Sequence, residues 1–160
     1  MTIPEKPYSV SIQQADFDIA QLQQGLLREG AQEGAIATFT GYVRADKDAG
    51  NIQCMELEHY PGMTEKSIEA TIAQAAERWP ILAAGVVHRV GRLYPGDQIV
   101  WVGVSSIHRG AAFSACEYVM DFLKAEAPLW KKELGDQGGE WVEAKEIDAV
   151  RAGAWSGGEE

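Results

Sequence analysis

The sequence predicts an α+β fold with a mainly antiparallel sheet and two long helices. Three observations lead there. Two stretches, ending at Pro80 and before Pro128, place apolar residues at helical spacing. Several short runs rich in β-branched residues are bounded by Gly, Pro, Asp and Asn clusters. These runs fall in adjacent pairs joined by short turns, as in hairpins, and not in a regular strand–helix–strand alternation.

In chain order, residues 8–12 read as a short strand. Residues 18–28 read as a helix with Ile19, Leu22 and Leu26 on one face, closed near Gly30. Residues 34–44 read as a strand with both faces partly covered, and 52–60 as its antiparallel neighbour across the polar turn 46–51. A helix follows Pro61, with Ile68, Ile72, Ala75, Ala76 and Trp79 inward, until Pro80 forbids continuation. Residues 86–93 and 98–106 form a hairpin across Tyr94-Pro95-Gly96-Asp97, where Pro then Gly suits the centre of a type II turn. A second long helix, 109–126, turns Ala112, Cys116, Val119, Met120 and Leu123 inward. Residues 129–134 and 140–146 make a last hairpin around the Gly-rich turn 135–139.

The 160 residues, 46% of them apolar, suit one domain over 1–155 that folds without disulfide or metal, followed by a mobile Gly/Glu tail at 156–160. A formal charge of −10 argues against general nucleic-acid binding, so any anion site must be local. Cys54 and Cys116 are too far apart in sequence for a CxxC pair, and His59 and His88 have no ligand-spaced neighbours, so no metal site is expected. The two histidines read as structural or surface residues. No signal peptide or membrane span is visible, and the expected location is the cytoplasm.

Five positions stand out chemically. His108 and Arg109 fall where a buried strand passes into a helix, so free backbone N–H groups and the helix dipole add to their charge and favour phosphate or carboxylate. The plainer alternative is a helix cap beside a solvated arginine. Lys124 and Lys131 sit among Phe122, Leu123, Leu129 and Trp130, apolar company able to dry an ammonium group and lower its pKa toward that of a base or nucleophile; otherwise they merely solvate a surface. The break at Pro128 lets the chain fold back and join the two lysines. Arg44 ends a strand, either as a bidentate anion clamp or as a charge facing water. Glu56 and Glu58 share a strand face and read as exposed. No phosphate loop or nucleophile elbow is present.

Residues 109 and 124 on one straight helix lie about 22 Å apart at 1.5 Å per residue. One small substrate cannot touch both within a single chain. If both serve one reaction, a twofold dimer sharing the cleft is the expected assembly.

The segments Phe39-Thr-Gly-Tyr-Val-Arg44, Leu57-Glu-His-Tyr-Pro-Gly-Met-Thr-Glu-Lys66, His88-Arg-Val-Gly-Arg-Leu-Tyr-Pro-Gly-Asp97, Val102-Gly-Val-Ser-Ser-Ile-His-Arg109 and Met120-Asp-Phe-Leu-Lys-Ala-Glu-Ala-Pro-Leu-Trp-Lys131 together resemble the large, catalytic subunit of molybdopterin synthase, the MoaE family. The match runs from about Gly34 to Glu146, in order and with compatible gaps.

The resemblance implies an α/β hammerhead fold and a sulfurtransferase acting on cyclic pyranopterin monophosphate. Sulfur would arrive as a thiocarboxylate on the C-terminal Gly-Gly of a small ubiquitin-like carrier subunit, with no further cofactor and no metal. Two such transfers would build the molybdopterin dithiolene, an intermediate of molybdenum cofactor biosynthesis. The implied assembly is a heterotetramer, a central homodimer with one carrier at each outer end, without nucleic acid or membrane. Lys124 and Lys131 would be catalytic beside the inserted carrier tail. Arg44, His108 and Arg109 would bind the anionic substrate, together with Tyr42, Val43, Lys132 and Glu133, while Phe39 and Met120 would line the pocket. His108, Arg109 and Lys145 are the candidates for donation by the second subunit. Family members often carry a basic residue at Tyr42 and an arginine at Lys145; a lysine cannot reproduce a bidentate arginine contact. Two other classes compete: a docking module that only presents the carrier, and an unrelated hydrolase, for which no nucleophile has an evident base beside it.

Overall fold

The computed structural model describes residues 7–45, 52–135 and 138–142, together with Trp155. The described residues form two four-stranded sheets and three helices. They run β1 (Tyr8–Gln13), α1 (Ile19–Gln24), β2 (Ala35–Tyr42), β3 (Ile52–His59), α2 (Met63–Arg78), β4 (Ile81–Arg89), β5 (Gly91–Leu93), β6 (Gln98–Ser106), α3 (Arg109–Ala125), β7 (Leu129–Gly135) and β8 (Gly138–Val142). The first sheet has the order β1-β4-β6-β2 and the second β5-β3-β7-β8. All ladders are antiparallel except β1 with β4. The predicted class is therefore observed.

β6 is the spine of the first sheet: every residue from Ile99 to Ser106 is buried. A strand covered on both faces reads as a continuous apolar run, as Ile99-Val-Trp-Val-Gly-Val does. One face, with Ala37, Val86, Val102 and Val104, packs under α2 and α3 in the main core. On the other face Trp101, 1% exposed, meets Leu26, Ala83 and Val87, with Ile19 and Leu22 of α1 beside them. Trp101 fits because Gly85 and Gly103, paired in register, leave room for its indole; a Cβ at either would collide with the ring.

Four expectations need correction. β3 does not pair with β2. β2 takes the free edge of β6, while β3 joins β5 and β7 in the second sheet. Alternation tells which face of a strand is buried but not which edge it pairs. The helix expected over 18–28 spans only Ile19–Gln24, capped by the Asp18 carboxylate, which accepts from the N–H groups of Ala20 and Gln21. It stops at Gly25, a poor helix former, and Leu26 turns into the pocket beside Trp101. The strand expected over 86–93 begins at Ile81 and is split after Arg89. Burial of Ala83 and Ala84 in a central strand overrides their low β-propensity. At Gly91, with φ +86°, the chain leaves the first sheet and enters the second as β5.

The remaining elements fall as expected. The turn 94–97 has Gly96 at φ +94° and the Asp97 N–H donating to the Tyr94 carbonyl at 2.9 Å, as a type II turn requires. The last hairpin is present as β7 and β8, but its pairing runs on through Gly135 and Gly138 into the expected turn, and the expected strand residues 143–146 lie outside the described residues. The expected tail at 156–160 and Lys145 lie outside the described residues.

Candidate active site

α3 separates the predicted site residues into two groups. At its start, His108 is the N-cap in extended backbone and Arg109 the first helical residue; both are exposed. The His108 side chain makes no capping hydrogen bond, so the capping explanation for this histidine does not hold. The first turn contains no acidic residue. The His108 imidazole, the Arg109 guanidinium and the free N–H groups of the first turn thus stand at one end of the helix, where a negative group is stabilised.

At the other end of α3, Lys124 lies in the last turn, where the helix dipole favours a cation. Lys131 belongs to the second sheet. The buried Thr64 hydroxyl accepts from the Tyr60 N–H and donates to the Pro128 carbonyl, both at 2.9 Å, and so fixes the start of β7 to the end of β3. In the resulting register Lys131 stands opposite Leu57, and Leu129 opposite His59. Side chains directly opposite in an antiparallel pair share a face, so Lys131 and His59 leave the sheet on the side of the buried Leu57.

His88 of β4 links the two lysine-bearing elements. It is buried, its Nδ1 lies 2.8 Å from the Arg89 carbonyl, and the charges of both Lys124 and His59 reach it. Its pKa is pushed down to about 4, chiefly by burial and further by those two neighbours, against the raising effect of the Arg89 carbonyl. His59 in turn lies 3.7 Å from the Glu65 carboxylate. The sequence reading takes His88 and His59 as structural or surface residues, and the buried His88 fits the first of these, but its closeness to Lys124 was not foreseen. The available signal was that His88 and Lys124 both end elements reaching the same end of the core.

Drying of the lysines is only partly seen within one chain. Lys131 is half-buried, but Lys124 is exposed, because Leu123 beside it takes the core position and helical geometry turns the next residue outward. The apolar neighbours in sequence do not cover it.

Arg44 stands at the lysine end. β2 runs antiparallel to β6, Ala35 opposite Ser106 and Tyr42 opposite Gln98, so its last residues are farthest from His108. Val43 is buried and locked to the type II turn: its N–H donates to the Asp97 carbonyl at 2.9 Å, and its carbonyl accepts from the Gly96 N–H at 2.8 Å. Arg44 projects beyond it, exposed. Tyr42 is 57% exposed, and Phe39, paired with Val102 on the face α3 covers, is still 41% exposed. Met120 is buried on α3, and Lys132 and Glu133 continue β7 opposite Glu56 and Met55. One end of the chain therefore gathers Tyr42, Val43, Arg44, Lys124 and Lys131, while His108 and Arg109 stand at the other, about 22 Å along α3.

Other chemistry finds little support among the described residues. Cys116 is buried, its thiol pushed up to about 12 by burial first and Glu117 second, so it is no thiolate nucleophile. Cys54 is also buried. No group of three His, Cys, Asp or Glu side chains among the described residues is placed to hold a metal ion. No helix among them is long and apolar enough to cross a membrane. A groove of about 150 Å³ between α2 and α3, lined by Ser67, Thr71, Gln74, Val119 and Phe122 among others, contains none of the predicted site residues.

Comparison with known proteins adds independent information. Residues 12–126 match the model of the family described as MoaE protein. The chain is 48% identical over 148 residues to a molybdopterin synthase catalytic subunit of Vibrio cholerae, covering 92% of this chain and 98% of that one. It is 47% identical over 129 residues to the protein of the same name from Escherichia coli, covering 81% and 86%. Among solved structures, the molybdopterin biosynthesis MoaE protein from Burkholderia ambifaria superposes with a TM-score of 0.79 at 47% identity, over 92% of this chain and 97% of that one.

Proposed function

This chain belongs to the MoaE family, and from that premise we propose how its residues act as the catalytic subunit of a molybdopterin synthase, an enzyme of molybdenum cofactor biosynthesis. The reaction is sulfur transfer from the C-terminal thiocarboxylate of a small ubiquitin-like carrier subunit to cyclic pyranopterin monophosphate. For each sulfur, a carbon–sulfur bond replaces a carbon–oxygen bond on the pterin, whose oxygen leaves as water, and on the carrier water replaces the sulfur at the carbonyl carbon, so that the carrier leaves as an ordinary carboxylate. No other cofactor is required, and the cytoplasm is the compartment in which the reaction runs.

The reading is supported by Lys124 acting on the buried His88, as His59 also does, and by Lys131 leaving β7 on the same face of the second sheet as His59. A carrier tail ending in Gly-Gly enters beside these lysines as an extended chain, because glycine has no side chain to obstruct a narrow cleft. Lys124 holds the carrier carboxyl group or accepts a transient acyl bond. Lys131, half-buried, moves protons or stabilises the oxyanion that develops on the carrier carbonyl. Arg44 grips the substrate phosphate at the same end, with Tyr42, Val43, Lys132, Glu133, Phe39 and Met120 around it. Tyr42 offers stacking or one hydrogen bond.

His108 and Arg109 complete the anion site from a second copy of the chain, since their own helix holds them too far from their own lysines. Lys145 is a further contribution from that copy. The working assembly is a homodimer with a carrier subunit at each outer end.

The test measures sulfur transfer and carrier binding together. Lys124→Ala and Lys131→Ala should each lose at least a hundredfold in turnover, in keeping with loss of an acid–base or covalent group, while binding the carrier nearly as well as the wild type. Wild-type rates in both variants would leave only a docking role.

A further inference from the structure

We propose that His59, held by the Glu65 carboxylate, is a positioning residue for Lys131: one ring nitrogen faces the carboxylate, and the other accepts a hydrogen bond from the Lys131 ammonium group and fixes where that group meets the carrier tail. The proposal rests on the catalytic reading of Lys131 and adds His59 and Glu65 to it.

The first observation is the register of the second sheet. Leu57 stands opposite Lys131 and His59 opposite Leu129, so all four share the face on which Leu57 is buried. His59 and Lys131 are therefore diagonal neighbours. Residues so placed lie about 7–8 Å apart, a gap that a lysine and an imidazole span together. The adjacent residues Glu58 and Trp130 are exposed on the other face. His59 and Lys131 are both half-buried, so the pair sits where this face passes from core to solvent.

The second observation is the carboxylate behind the histidine. Glu65 is the third residue of α2, and its Oε2 accepts from the Gly62 N–H at 2.7 Å, closing the start of the helix. The other oxygen, Oε1, is buried and accepts no hydrogen bond among the described residues. It lies 3.7 Å from His59 Nε2. A buried carboxylate oxygen without a donor is costly, and a proton on Nε2 satisfies it after a small rotation of the ring. In that tautomer Nδ1 carries the lone pair and serves as the acceptor.

The third is rigidity. Thr64, buried and adjacent to Glu65, takes the Tyr60 N–H on its hydroxyl oxygen and gives its hydroxyl proton to the Pro128 carbonyl. Its own N–H donates to the Tyr60 carbonyl at 2.9 Å. One helical turn thus holds the carboxylate, the end of the histidine strand and the start of the lysine strand relative to one another. A lysine side chain has many rotamers, and a hydrogen bond to a fixed acceptor removes most of that freedom before the carrier tail arrives.

Steady-state sulfur transfer by the full-length protein, measured beside carrier binding, tests this. His59→Leu fills the same half-buried space without an acceptor. It should keep the fold by circular dichroism, the affinity for the carrier and the KM for the pterin, while kcat falls about tenfold or more. His59→Asn keeps an amide oxygen near the Nδ1 position and should recover most of that loss. Glu65→Gln can still close the helix start but carries no charge, and should also lower kcat. In the Lys131→Ala background His59→Leu should lower turnover no further, because it acts through that lysine. The proposal is overturned, with the role of Lys131 intact, by a wild-type kcat in His59→Leu or Glu65→Gln. An asparagine variant no better than the leucine one, a matching loss of carrier affinity, or a full further loss on top of Lys131→Ala has the same effect. Wild-type turnover in Lys131→Ala overturns that role and the proposal together.

Discussion

The indole N–H of Trp155 donates to the Asp121 carboxylate at 2.8 Å, one turn before Lys124 on α3. The same tryptophan packs edge-on against Trp79 and Tyr118, and its carbonyl accepts from the Arg78 guanidinium at 2.7 Å. A residue near the end of the sequence is thereby fixed to the ends of both long helices. Trp155→Ala should cost about 2–4 kcal/mol, since it removes an aromatic anchor and one partner of a buried carboxylate. Urea unfolding monitored by circular dichroism checks this; a loss under 0.5 kcal/mol would show that the cluster is ornamental to stability.

His88 predicts how stability follows pH. Its folded pKa of about 4 lies below the ordinary 6.5, so the neutral form is favoured in the fold. The contribution is complete above about pH 6.5 and is lost as pH falls toward 4, reaching on the order of 3 kcal/mol. Unfolding free energies at pH 7 and 4.5 should differ by less in His88→Asn than in the wild type. An unchanged difference would place the acid sensitivity elsewhere.

Mixing variants tests whether one site uses two chains. Lys124→Ala and Arg109→Ala should each be nearly inactive alone. After unfolding and refolding together, random pairing makes half of the dimers mixed, each with one intact site of two, so roughly a quarter of wild-type turnover should return. A mixture as inactive as its components would contradict sharing.

The carrier tail should tolerate no extension. A single residue added after its terminal glycine removes the reacting group from reach and introduces bulk into the cleft, so transfer should fall below detection in mass spectrometry of the carrier thiocarboxylate. Full turnover with such a tail would exclude entry by the free end.

Much of this was determined by the sequence alone. Apolar spacing set α2 and α3 to within two residues, Pro95-Gly96 set the type II turn, and the ordered motifs from Phe39 to Lys131 identified the family, because each of these depends on neighbours within a few positions or on chemistry that tolerates few alternatives. Long-range choices were decided only by the tertiary structure. Which edge β2 pairs, where β4 breaks, that Leu26 leaves its helix for Trp101, and that Lys124 turns outward while Leu123 turns in all depend on competition for a shared core. Such competition is settled by volume and burial across the whole molecule, and no local window of sequence records it.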